Sequence, residues 1–175
     1  MRSNNKRNKI LEAAFTVVAE QGANRLTIDA VAAESGFSKG GVLYHFRSKN
    51  ALLTGMLAHL VDAILNRIED QKLTNLLPSL IGARQETDVT ERRASLALLT
   101  AFAEDKRLLE PARQQMTQLY RESVNDKTGG DEAAILFFAN EGLRFLELFD
   151  LCPIGPTKVS KLTQHMIKRA EQVSS

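Results

Sequence analysis

The sequence predicts an all-α protein, and three observations carry that prediction. Apolar residues recur at i, i+3, i+4 spacing along most of the 175 residues, and no run alternates as a strand does. Proline is scarce, at 4 residues, and glycine modest, at 10. The stretches between these breakers are rich in Ala, Leu, Glu, Lys, Arg and Gln, which favour helix. A three-helix head followed by a body of five or six helices, about nine in all, is the expected arrangement.

The first helix is read over 8–21, where Ile10, Leu11, Ala14, Phe15, Val17 and Val18 share one face and Gly22 serves as C-cap. Thr27 caps a second helix, with Asp29 in the first turn where the helix dipole favours an acid, and Gly36 stops it. Ser38 caps a third, about two turns long, that ends near Phe46. Ser48 caps a longer helix to about Gln71, striped by Leu52, Leu53, Met56, Leu57, Leu60, Val61, Ile64, Leu65 and Ile68. Next come a short helix over 73–81 interrupted by Pro78, a polar loop at 87–90 and a helix over 91–103. Pro111 lies in the first turn of a helix to about Val124, and 126–131 is the clearest loop. Asp131 opens a helix to about Leu151, residues 152–156 end it, and 157–173 is the last.

Composition narrows the function. No run of 18 apolar residues exists, so a membrane span is excluded on length. The N-terminus has no apolar stretch of signal-peptide type. Cys152 is the single cysteine, so a disulfide framework and a thiolate zinc cluster are excluded, and a cytoplasmic setting is the default. His59 and His165 are too scattered for a metal site. No nucleophile–base pair or Gly-rich phosphate loop is present, so neither an enzyme nor a cofactor is expected. Net charge is +2 and unevenly spread. Residues 1–60 hold eight Lys and Arg against four acids, and the rest fifteen against seventeen. A basic N-terminal third suits one DNA-contacting face.

Segment 26–53, LTIDAVAAESGFSKGGVLYHFRSKNALL, carries the chemistry. A short helix, a glycine turn and a second short helix are the grammar of a helix-turn-helix, whose second helix enters the major groove. Its first residues, Ser38, Lys39, Gly40 and Gly41, then face the groove. Lys39 suits guanine O6 and N7 or a phosphate. Gly40 and Gly41 each cost roughly 1 kcal/mol of helix propensity relative to Ala. Either they form a loop or they let the backbone approach DNA closely. Val42, Leu43 and Phe46 seat the helix, which leaves Tyr44 and His45 outside as phosphate donors. Lys49 stands in a first helical turn, where the dipole disfavours a cation. A phosphate held by Lys49 and the free N–H groups would offset that cost. Thr27, at another helix start, serves the same way besides capping.

The ordered string of Phe15, Gly22, Leu26-Thr27, Ala32, Gly36, Ser38-Lys39-Gly40, Tyr44-His45-Phe46, Ser48-Lys49 and Leu52-Leu53 resembles the N-terminal domain of the TetR family of transcriptional regulators. The likeness covers roughly residues 8–55. Leu43 departs from it, standing where many members have a second aromatic, which removes one phosphate-side contact. The body has no comparably sharp motif, but is similar in length and helix order to TetR-type ligand domains. The resemblance implies a helix-turn-helix DNA-binding domain at 1–50 and a ligand-binding and dimerisation domain at 51–175. It implies a homodimer through the helices near 131–151 and 157–173. The expected function is a repressor that binds a double-stranded palindromic operator as a dimer and is released by a small-molecule inducer.

The body offers partial support of its own. The helix from Asp131 is apolar on nearly every face, at 133–139 and again at 142, 143, 145, 146, 148 and 149. Such a helix is buried on more than one side, either by its own subunit and a partner or as the central helix of a monomer. Gly142 would let two copies approach closely. Val159, Leu162, Met166, Ile167 and Val173 add a second stripe. Phe102, Met116, Tyr120, Phe137, Asn140, Glu141 and Arg144 mix apolar walls with polar tips and are the candidate ligand contacts, although Met and Phe at helical spacing also read as core. Asn140, Glu141 and Arg144 could equally make polar pairs across a dimer. A competing reading is an all-α ligand-binding or dimerisation protein without operator-specific DNA binding.

Overall fold

The computed structural model describes residues 2–71, 75–86, 91–92, 95–96, 98–99, 105–124 and 130–173. Among these residues there are eight bounded α-helices, further helical residues at 91–92, 95–96 and 98–99, and no strand. The helices are α1 (Arg2–Gln21), α2 (Ile28–Ser35), α3 (Lys39–His45), α4 (Lys49–Asp70), α5 (Leu76–Ala83), α6 (Glu110–Ser123), α7 (Asp131–Leu148) and α8 (Pro156–Val173). Short 3-10 turns lie at Ala23–Arg25, Arg84–Glu86 and Lys106–Leu109. The helices gather into two compact units, one of residues 1–61 and 88–112, the other of 62–87 and 113–175. Helix α4 runs unbroken through the boundary between them.

The first unit is built on α1. Ile10, Leu11, Ala14, Val17 and Val18 are buried there, with Leu26, Val31 of α2, Val42 of α3, Phe46, and Leu52, Leu53, Met56, Leu57 and Leu60 of α4. Each large aliphatic contributes about 1.5–3 kcal/mol by leaving water. Leu98 is buried in the same core, and Leu99, Leu108, Leu109 and Ala112 pack against it. The Arg7 guanidinium lies 5.2 Å from the centre of the Phe46 ring. A Cβ on Gly55 would stand 2.5 Å from Cε1 of Phe46, so the ring needs a residue without a side chain beneath it. Among the described residues α4 is the one helix whose length and composition would suffice for a membrane span. Length therefore does not exclude a span as expected, but Leu52, Leu53, Met56, Leu57 and Leu60 of α4 are buried in the first core.

The second unit buries Ile68, Leu77, Leu80, Ile81, Leu119, Leu136, Phe137 and Met166 in its own core. Tyr120 packs edge-on to Phe137, with ring centres 5.3 Å apart.

Several boundaries differ from the expected ones. Helix α1 starts at Arg2, not near residue 8. Residues 2–7 lack apolar periodicity but contain no breaker, so the helix propagates back from its packed part. Pro78 does not interrupt α5, because it lies in the first turn, where a backbone N–H has no intrahelical acceptor. Helix α7 ends at Leu148, three residues early. Asp150 takes a left-handed φ of 54° there. The N–H of Leu151 donates to the Leu146 carbonyl at 2.8 Å and that of Asp150 to the Glu147 carbonyl at 3.2 Å. This is a Schellman cap, closed without the glycine that a sequence reader looks for. Pro156, not Thr157, opens α8, with its fixed φ at the first helical position. Most of the helix expected over 91–103, the loop at 87–90, residues 126–129 of the loop expected over 126–131, and Phe102 lie outside the described residues, while Gly130 caps α7 and Asp131 is its first residue.

Candidate nucleic-acid interface

Helices α2 and α3 and the start of α4 lie in the first unit, and each start is closed by a hydroxyl. Thr27 Oγ1 accepts from the Ala30 N–H at 3.0 Å, Ser38 Oγ from the Gly41 N–H at 3.1 Å and Ser48 Oγ from the Ala51 N–H at 3.1 Å. Gly36 adopts a left-handed φ of 70° between α2 and α3, a conformation that costs a glycine nothing.

Burial fixes which face of α3 is presented. Val42 and Phe46 are buried and Leu43 is half-buried. Ser38, Lys39 and Gly40 are exposed. Tyr44 is 81% exposed, and its ring meets that of half-buried His45 edge-on, with centres 5.1 Å apart. A Cβ on Gly40 would meet nothing within 4 Å, so nothing inside the chain requires a glycine there. A Cβ on Gly41 would lie 3.3 Å from Ser38 Oγ, so the hydroxyl cap gives that position a local reason to stay small. Lys49 is exposed as the first residue of α4.

Lys39 has a partner that the sequence reading did not assign. Its Nζ lies 3.0 Å from Oδ1 and 3.0 Å from Oδ2 of Asp29. In the sequence Asp29 shows only as an acid suited to a helix start. The available signal was an acid and a base, ten residues apart, in the first turns of two helices joined by a short glycine turn. Arg7 was counted only in the basic charge of the N-terminal third, and it stacks on Phe46.

In the second unit, Met116 and Tyr120 pack against a core that contains Phe137. Asn140 is buried, and its Oδ1 accepts from Nε of Arg84 at 3.2 Å. The same guanidinium pairs with Glu147 and donates to Oγ1 of Thr163, while Thr163 donates to the Val159 carbonyl at 3.0 Å. One arginine, its side chain 2% exposed, thereby ties α5 to α7 and α8. Arg84 was not singled out in the sequence, because a lone arginine at the end of a short helix carries no motif. Arg144 pairs with Glu141, 2.5 Å away on the same helix, and the Asn140 amide donates to Glu141 at 3.2 Å.

Against known proteins, residues 10–56 match the family model described as bacterial regulatory proteins, tetR family. Residues 79–171 match the one described as tetracyclin repressor-like, C-terminal domain. The uncharacterized HTH-type transcriptional regulator YvdT of Bacillus subtilis (strain 168) is 32% identical over 99 residues, 54% of this chain and 50% of that protein. The chain spans about half the length of the curated relatives it matches. A transcriptional regulator of the same family from Rhodococcus sp. superposes with a TM-score of 0.72 at 18% identity, covering 98% of this chain and all of that one. The multidrug binding protein EbrR, complexed with imidazole, gives 0.67 at 20% identity, covering 93% and 89%. At these identities the two structures bear on the fold alone.

Proposed function

Because the chain belongs to the TetR family of bacterial regulatory proteins, we propose that it is a ligand-responsive transcriptional repressor that binds a palindromic DNA operator as a homodimer. One observation carries the reading. Ser38, Lys39, Gly40 and Tyr44 stand exposed on a short helix whose opposite side is held by buried Val42 and Phe46. Lys39 reads a base edge, and the open backbone at Gly40 and Gly41 follows the groove. Tyr44, His45, Lys49 and Thr27 hold phosphates, the last two at helix starts that favour anions. Two such helices about 34–36 Å apart would meet successive major grooves.

The dimer forms through α7 and α8. Ile135, Phe138 and Phe145 on α7 are 65%, 63% and 56% exposed, and Leu162 of α8 is exposed beside them in kind. A Cβ on Gly142 would meet nothing within 4 Å, so that face is open to a second helix. The inducer is a small molecule bound in the second unit, near Met116, Tyr120 and Phe137. Inducer and operator need only prefer different spacings of the two readers, and α4, shared by both units, is the element that would transmit the preference. The protein works in the cytoplasm and catalyses no reaction.

The test is a fluorescence-anisotropy titration of duplexes from the protein's own upstream region. Binding to a palindrome, falling steeply as salt rises, is expected. No binding at low salt would overturn the proposal.

A further inference from the structure

We propose that Asp29 is a specificity-determining residue: with Lys39 it forms a single reading unit for a G·C base pair and keeps Lys39 from binding phosphates indiscriminately. This rests on the DNA-binding reading above.

Both side chains stand in solvent, Lys39 at 61% and Asp29 at 69% exposure, so the pair does not serve the core. Each oxygen of the carboxylate lies 3.0 Å from the ammonium, so one carboxylate grips the lysine with both its oxygens. Asp29 is itself favoured where it is, in the first turn of α2, by the helix dipole. Lys39 opens α3, where the dipole opposes a cation, and the carboxylate relieves that opposition.

An acid at the edge of a surface meant for a polyanion needs a reason. It repels phosphate, and a lysine tied to it must be released before it can neutralise one. A base pair presents a different target. Guanine offers O6 and N7 as acceptors, and the cytosine opposite offers its N4 amino group as a donor. An ammonium and a carboxylate held side by side match that order of acceptor and donor. They can engage both bases without separating. Phosphate contact therefore breaks the pair, whereas a correctly oriented G·C pair preserves it.

The experiment compares the full-length protein with Asp29→Asn, Asp29→Glu, Lys39→Ala and the Asp29→Asn/Lys39→Ala double variant, each checked for an unchanged thermal midpoint. Two probes are used: a mixed-sequence duplex, and duplexes enriched by the unaltered protein from a random library. With Asp29→Asn, binding to the mixed duplex should tighten by about two- to fivefold at low salt, the range in which exposed ion pairs act. Its salt dependence should steepen by about one counterion. The enriched sequence should lose its preference at one G·C pair in each half-site, and Asp29→Glu should retain it. In the Lys39→Ala background, Asp29→Asn should change neither binding nor preference. An equal gain in that background would show general charge repulsion and overturn the coupled reading. Unchanged discrimination by Asp29→Asn would do the same. If the unaltered protein binds no duplex, the function proposed above fails first, and this inference falls with it.

Discussion

In the first unit, Tyr44 is the one large apolar side chain standing exposed among the described residues, and its hydroxyl gives it a polar end. In the second unit, Ile135, Phe138, Phe145, Leu146, Leu151 and Leu162 are all exposed, and none has a polar atom to offer water. The polar groups are distributed in the opposite sense. The first core is apolar, while the second encloses a guanidinium, an amide and a hydroxyl linked to one another. The described residues of the first unit therefore leave no apolar patch exposed and present a polar face at α3. The second has an interior fixed by directed hydrogen bonds and an exterior that water does not satisfy. Packing alone holds the first unit, whereas the α7 and α8 face, on the dimer proposed above, would benefit from a directional tie beneath it.

The contrast is most easily broken on the apolar face. Phe138→Asp together with Phe145→Asp should leave a monomer by light scattering. Each ring contributes about 1.5–3 kcal/mol when buried and counts twice across a two-fold axis. A variant that remains dimeric would remove the proposed role of that face.

Arg84→Ala should come next, at about 3–5 kcal/mol of stability, because Glu147, Asn140 and Thr163 lose their shared donor. Arg84→Met should cost less by the packing that its side chain restores, while Glu147, Asn140 and Thr163 stay without their donor. Hydrogen exchange should report the loss in α7 and α8 while amides in α1 stay protected. Equal losses in both units would mean that the tie is not local.

Gly55→Ala addresses the first unit by the opposite route. Its new methyl would stand 2.5 Å from the Phe46 ring, and overpacking of this kind costs about 1–3 kcal/mol. Protection should fall in α3 and the first turns of α4. Asp150→Gly should give the smallest change, a gain of roughly 0.5–1 kcal/mol in thermal stability, by relieving a left-handed aspartate.

The two units also differed in how far their sequence could be read. Thr27, Ser38 and Ser48 announce helix starts by chemistry local to a few residues, and Gly22 and Gly36 announce ends in the same way. Accordingly α2 and α3 match the reading closely, and so do the burial of Val42 and Phe46 and the exposure of Tyr44. The pairing of Asp29 with Lys39 and the stacking of Arg7 on Phe46 depend on how helices meet, which periodicity does not encode. Arg84 reaches partners 56, 63 and 79 residues away, so no window along the chain contains the group it belongs to. The end of α7 is not legible in the sequence because an aspartate occupies the turn where a glycine is the usual sign.

The three hydroxyl caps at Thr27, Ser38 and Ser48 are satisfied within the chain. On the DNA-binding role proposed above, the surface they frame is thus already assembled before a duplex arrives. Docking then requires no coil-to-helix transition there, so encounter is governed by diffusion and charge. The heat-capacity change of association reflects the area covered, with no contribution from folding these turns. An effector working on such a reader has no local order to melt. It must act by displacing a finished piece.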